Sequence, residues 1–201
     1  MLRRKALLYF FAILFAWNGA AFSDDAAKTL PDYFPKGVFS NHSDSDEFIR
    51  KWYSEQLRAL EEPSLYVSNQ NMETYRFTWL RTFHNPMIFR FAVLDDGSGM
   101  LAVKRSNGAG GYEPGVIDLR KEVTLSNGQI EDLKKKLDDM AYWEKPTKLE
   151  GMGMDGAQWI VEANADGKYK IVDRWSDSGS AIQAWGMQLI ELSGVEVGEV
   201  Y

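Results

Sequence analysis

From Tyr75 onward apolar and polar side chains alternate, with Tyr75, Phe77, Trp79 and Phe83 on one face of an extended chain and Arg76, Thr78, Thr82 and His84 on the other. A period of two predicts a strand with one buried face. The pattern breaks at His84-Asn85-Pro86, resumes over 88–94, turns at 95–99 and runs back over 100–105. A glycine-rich loop at 107–115 then leads to a fourth strand around 116–124. Four consecutive strands with short connections predict an antiparallel meander.

Three stretches change to helical spacing. Phe48, Ile49, Trp52, Tyr53, Leu57 and Leu60 follow an acidic start at 44–47 and end before Pro63, which predicts a first helix. Ser126-Asn127-Gly128-Gln129 has the form of a capping box, and Ile130, Leu133, Leu137 and Met140 continue it as a second helix. Ile182, Trp185, Leu189 and Leu192 predict a third helix, capped near Ser178 and stopped at Ser193-Gly194. Residues 24–43, with Pro31 and Pro35 and no period, read as an extended arm before one domain over 44–201.

Between the second and third helices, 157–175 predict a hairpin. Placing Trp159 and Val161 on the same face as Tyr169, Ile171 and Trp175 collects the aromatic rings on one side and demands an odd loop. Ala165-Asp166-Gly167 suits a three-residue turn. Val161 then opposes Ile171 and Gln158 opposes Arg174, and Glu162 shares a face with Arg174. The expected architecture is α+β: one antiparallel sheet made of the meander and the hairpin, the second and third helices covering its aromatic face, and the first helix at an edge.

The start of the chain belongs to none of these elements. Arg3, Arg4 and Lys5 precede 12 apolar residues at 6–17, and small residues follow up to Ala21-Phe22-Ser23. This is the layout of a cleaved export signal, and the run is too short for a membrane span of about 20 residues. Cleavage after Ser23 leaves 178 residues from Asp24. The leader holds three basic and no acidic groups, so 20 basic groups face 29 acidic ones in the mature chain, a net charge of −9. Such a surface disfavours nucleic acid and anionic lipid and suits a partner with a basic surface. There is no cysteine and there are two histidines, which excludes a disulfide framework, a thiol nucleophile and imidazole-rich metal sites. No cofactor is implied.

The loop 107–115 fits neither phosphate-binding template, because no Lys-Ser/Thr follows its glycines and it joins strand to strand. Its glycines suit a wide hairpin loop, with Tyr112 and Glu113 as its ligand-facing candidates. A second glycine-rich loop lies at 148–156, with Gly151, Gly153 and Gly156, and Glu113, Asp155 and Glu162, in or near these two loops, form a candidate carboxylate set for glycan hydrolysis. Trp143, with Tyr112 and Tyr142, is an aromatic in or beside a loop, and Arg174 is expected to pair with Asp155 or Glu162.

The segments GGYEPG at 110–115, DGAQWIVE at 155–162 and the GKY at 167–169 with RWS at 174–176 resemble motifs of an uncharacterised group of bacterial exported proteins. The resemblance spans roughly 75–194 and implies a single α+β domain without assigning an activity. The functional expectation is a non-catalytic periplasmic binding or interaction protein, of which one version is an inhibitor or immunity-type protein for a basic partner. The alternative is an envelope glycan-binding module or hydrolase acting through Glu113, Asp155, Glu162 and the loop aromatics Tyr112, Tyr142 and Trp143, and Arg174 is a binding candidate if it does not pair with an acid.

Overall fold

The computed structural model describes residues 32–67, 72–149, 155–176 and 178–201, so the leader lies outside the described residues. In chain order the elements are α1 (Ser43–Ala59), β1 (Thr74–Arg81), β2 (Met87–Val93), β3 (Gly99–Ser106), β4 (Ile117–Leu125), α2 (Asn127–Asp139), β5 (Ala157–Ala165), β6 (Lys168–Trp175) and α3 (Ala181–Ser193), with a 3₁₀ turn at Tyr142–Glu144. The six strands form one sheet in the order β4-β3-β2-β1-β5-β6, and each neighbouring pair is antiparallel. The meander and the hairpin thus join along β1 and β5, as the α+β reading requires.

Tyr75, Phe77 and Trp79 of β1 stack with Phe89 and Phe91 of β2 and Trp159 of β5 beneath α2 and α3. Ser126 caps α2 through the expected reciprocal box with Gln129, while α3 is capped by Ser180 rather than Ser178 and ends on Gly194 in the left-handed conformation. Trp185 of α3 is buried and its indole donates to the Leu133 carbonyl of α2 at 3.0 Å, which ties the two covering helices together.

The opposite face is covered as well, and this departs from the expectation. β1 is buried at all eight positions, so its even-numbered side chains face a second core and not solvent. Leu80, Ile88, Ile160 and Ile171 pack there against Ile49, Tyr53 and Leu57 of α1 and against Tyr33, Phe34 and Phe39. The first helix therefore lies across the sheet instead of at an edge, and residues 32–42, expected as a plain arm, supply three core rings. The acidic start at 44–47 does not cap α1, whose N-cap is His42 without a side-chain cap bond, and Asp46 instead reaches back along the chain. Its carboxylate is buried and accepts from the Gly37 and Phe39 amides and from Arg50 Nε, which pins the preceding segment to α1.

The β5–β6 register differs by one residue from the expected one. Asp166 and Gly167 both have positive φ, 52° and 71°, and Ala165 pairs with Lys168, so the turn has two residues of type I′. Glu162 opposes Ile171 and Gln158 opposes Trp175. Val172 and Arg174 share the face of Trp159 and Val161, whereas Tyr169, Ile171 and Trp175 point into the α1 layer. Glu162 and Arg174 thus lie on opposite faces.

Candidate functional site

At one end of the α1 layer, Leu80, Gln158 and Trp175 form a row across β1, β5 and β6. Above them α1 presents Phe48, Lys51, Trp52 and Glu55, a single stripe at helical spacing beside the Ile49–Tyr53–Leu57 stripe that is packed into the core. Thr82, Gly111 and Tyr112 close the end. The result is an open cleft of about 510 Å³, within the roughly 300–1,000 Å³ range of small-ligand pockets.

The glycine-rich loop forms a wall because it folds tightly under the end of β1. The Gly110 amide donates to the Arg81 and His84 carbonyls, both at 3.0 Å, and a Cβ at Gly110 would stand 2.7 Å from the Arg81 backbone. The Trp52 indole donates to the Gly110 carbonyl at 2.9 Å, and Gln56 Nε2 donates to the Tyr112 carbonyl at 2.9 Å. Thr82 joins the two glycine-rich segments: its amide donates to the Gly156 carbonyl, its hydroxyl accepts from the Gly156 amide, and its carbonyl accepts from the Gly111 amide. The loop is bound to the sheet through its main chain, and α1 is bound to the loop through the Trp52 and Gln56 side chains.

Four of the lining side chains are aromatic. Phe48 is 67% exposed and Tyr112 62% exposed, and the Tyr112 ring stacks on Phe83 with centroids 6.1 Å apart. Gln158 at the floor is 2% exposed, and its Oε1 has no hydrogen-bond partner among the described residues. A buried acceptor in that state costs roughly 1–3 kcal/mol unless a ligand or water bonds it. Lys51 and Glu55 bring one charge of each sign.

Of the six residues singled out in the sequence, only Tyr112 lines the cleft. Glu113 is exposed on the same loop and Asp155 is exposed just ahead of β5, but neither is among the cleft's lining residues. Glu162 is fully buried on the α1 face, where its carboxylate takes Arg76 Nε at 2.8 Å and the Tyr169 hydroxyl at 2.9 Å. It is therefore withdrawn from the proposed carboxylate set. Trp143 is half-buried against the aromatic core, edge-on to Tyr142. Tyr142 itself is no loop aromatic: it is fully buried and donates to the Val161 and Lys170 carbonyls, both at 3.0 Å. Arg174 donates to the carbonyls of Pro146, Thr147 and Asp173, fastening the 146–147 segment along the β6 edge.

A second set of polar groups is buried under α1 without facing the cleft. Glu62 takes Arg90 Nε at 2.8 Å and Lys104 Nζ at 2.7 Å, with Arg76 3.6 Å away. Burial raises the Glu62 carboxyl, but Arg76, Arg90 and Lys104 outweigh it and hold the pKa below its ordinary value. At Glu162 burial wins over Arg76 and Tyr169 and the pKa is raised. Removing one member of so buried a network costs about 3–5 kcal/mol, so these charges clamp the layers together.

In the sequence Phe48 and Trp52 belong to a helical pattern and Gln158 and Trp175 to a strand pattern, and none of the four stands in a loop. The signal that marks the helix pair is its width: Phe48–Trp52 and Ile49–Tyr53–Leu57 are two adjacent apolar stripes, more than one packed face needs. No protein family matches the chain, and no curated protein matches it either.

Proposed function

We propose that this is an exported, non-catalytic binding protein whose ligand enters the cleft between α1 and the β1–β5–β6 end of the sheet. The observation that carries the reading is the combination of four lining aromatic side chains with a buried, unbonded amide oxygen at the floor, beside a loop bound to the sheet through its main chain. Glu55 is the one carboxylate among the described lining residues, so these residues supply no carboxylate pair for acid–base hydrolysis. The basic-partner version rests on net charge alone and finds no support at the cleft, where Lys51 and Glu55 balance.

The test is a titration of the ¹⁵N-labelled protein, recovered after export, with a set of small aromatic and polar fragments. The Trp52 and Trp175 indole signals should shift saturably, while those of Trp79, Trp159 and Trp185 stay in place. Fragments that bind without moving the first two signals would put the ligand site elsewhere.

A further inference from the structure

We propose that the ligand of this cleft is a neutral pyranose oligosaccharide, a conclusion that rests on the binding reading above. Three features of the cleft select the chemistry. Phe48, Trp52, Tyr112 and Trp175 line it with aromatic rings, whose negative quadrupole attracts the slightly positive C–H face of a sugar ring. Gln158 adds a carboxamide with an unsatisfied acceptor, and Thr82 adds a hydroxyl already fixed by Gly156. The terminal torsion of a glutamine is soft, so its oxygen or its nitrogen can turn toward a hydroxyl of the ligand. A purely apolar ligand would leave the Gln158 oxygen unbonded, whereas a sugar edge satisfies it.

Charge and topology exclude the nearest competitors. Lys51 and Glu55 are the charged groups among the described lining residues and cancel, so these residues do not select an anionic glycan. An extended peptide binds by adding a strand to a free sheet edge. Here the floor is built from β1 and β5, which are paired on both sides, and from β6, whose outer edge is engaged where the Asp173 amide donates to the Thr147 carbonyl at 2.6 Å.

The experiment extends the indole titration to tetrasaccharides of glucose and of N-acetylglucosamine, to a tetrasaccharide of galacturonic acid and to a proline-rich peptide. A neutral tetrasaccharide should move the Trp52 and Trp175 signals saturably. Tyr112→Ala should weaken it about 3- to 10-fold, the worth of one ring contact. Gln158→Met should weaken it about tenfold without lowering the melting temperature, since it removes an unbonded buried polar group. If the fragments move both signals but no neutral tetrasaccharide does, or if the peptide or the acidic sugar binds tighter, the ligand class is overturned and the cleft stands. If nothing moves the two signals, the cleft reading falls and this one with it. Saccharide binding unaffected by both substitutions would place the sugar outside the cleft and overturn the proposal.

Discussion

Asp173 sits where β6, α1 and the 147–148 segment meet. Its carboxylate accepts from the Tyr53 hydroxyl at 2.9 Å and lies 3.7 Å from Lys148 Nζ, with no solvent contact. Burial pushes this carboxyl up to about 6, against the pull of Lys148 and of the Tyr53 hydroxyl. An unfolded aspartate titrates near 3.9, so between those values the folded protein holds a proton that the unfolded chain does not. The stabilisation is therefore fully present below the unfolded value and is lost as pH rises through about 6. Asp173 should make the protein more stable at pH 5 than at pH 7 by about 1 kcal/mol, and Asp173→Asn should remove that part of the gain. Urea midpoints of both proteins at the two pH values measure it. Glu162, also raised, shifts stability in the same direction in both proteins, so their difference isolates Asp173. Glu62 and Asp46, whose carboxyls are held low, lose their contribution only as pH falls below the ordinary carboxylate range, outside this window. Equal pH dependence in the two proteins would refute the assignment.

The β5–β6 hairpin shows how an element can be right and its register wrong. Both strands and the turn site are legible from period two and from Asp166-Gly167, but a parity that gathers every ring on one face follows only under the assumption of a sheet covered on one side. With α1 on the other side, Tyr169 and Trp175 have their own buried layer, and the two-residue type I′ turn, which the strand twist favours, is free to form. The same assumption hid the site: Gln158 and Trp175 face one another across the hairpin only in the observed register, and the Tyr169–Glu162 hydrogen bond depends on it too. Capping chemistry was local and therefore readable, as at Ser126, whereas the partners of Asp46 and Glu162 come from tertiary contacts that no spacing encodes. The turn can be checked directly. A Cβ at Gly167 would meet nothing, so Gly167→Ala tests conformation alone, and its φ of 71° should cost about 1 kcal/mol in a denaturation experiment. A neutral result would mean that the turn relaxes to another type.

On the scale of the whole molecule, residues 31–201 form one unit in which a single sheet serves two cores. Phe77 and Trp79 point into the layer under α2 and α3, while Thr78 and Leu80 of the same strand point under α1, so neither layer can open without exposing β1. The Tyr53–Asp173 hydrogen bond and the Glu62 cluster of Arg76, Arg90 and Lys104 add ties between α1, the segment after it and the sheet. This sharing makes up for the missing disulfides, because burial of the central strands β1 and β5 on both faces gives a cysteine-free chain more apolar contact than one covered face would. Its consequence is cooperativity. Phe34 stands at the far end of the second core, edge-on to Phe39 at 5.2 Å and to Tyr53 at 6.3 Å. Phe34→Ala should cost about 3–5 kcal/mol, a large share of the roughly 5–15 kcal/mol by which a domain is stable. Because the cores share β1, that loss should lower one unfolding transition, with tryptophan fluorescence and far-ultraviolet circular dichroism falling together. If instead the α1 layer melts first, leaving an intermediate with the Trp185 side still folded, the two cores are separate cooperative units and the coupling through β1 is too weak to join them.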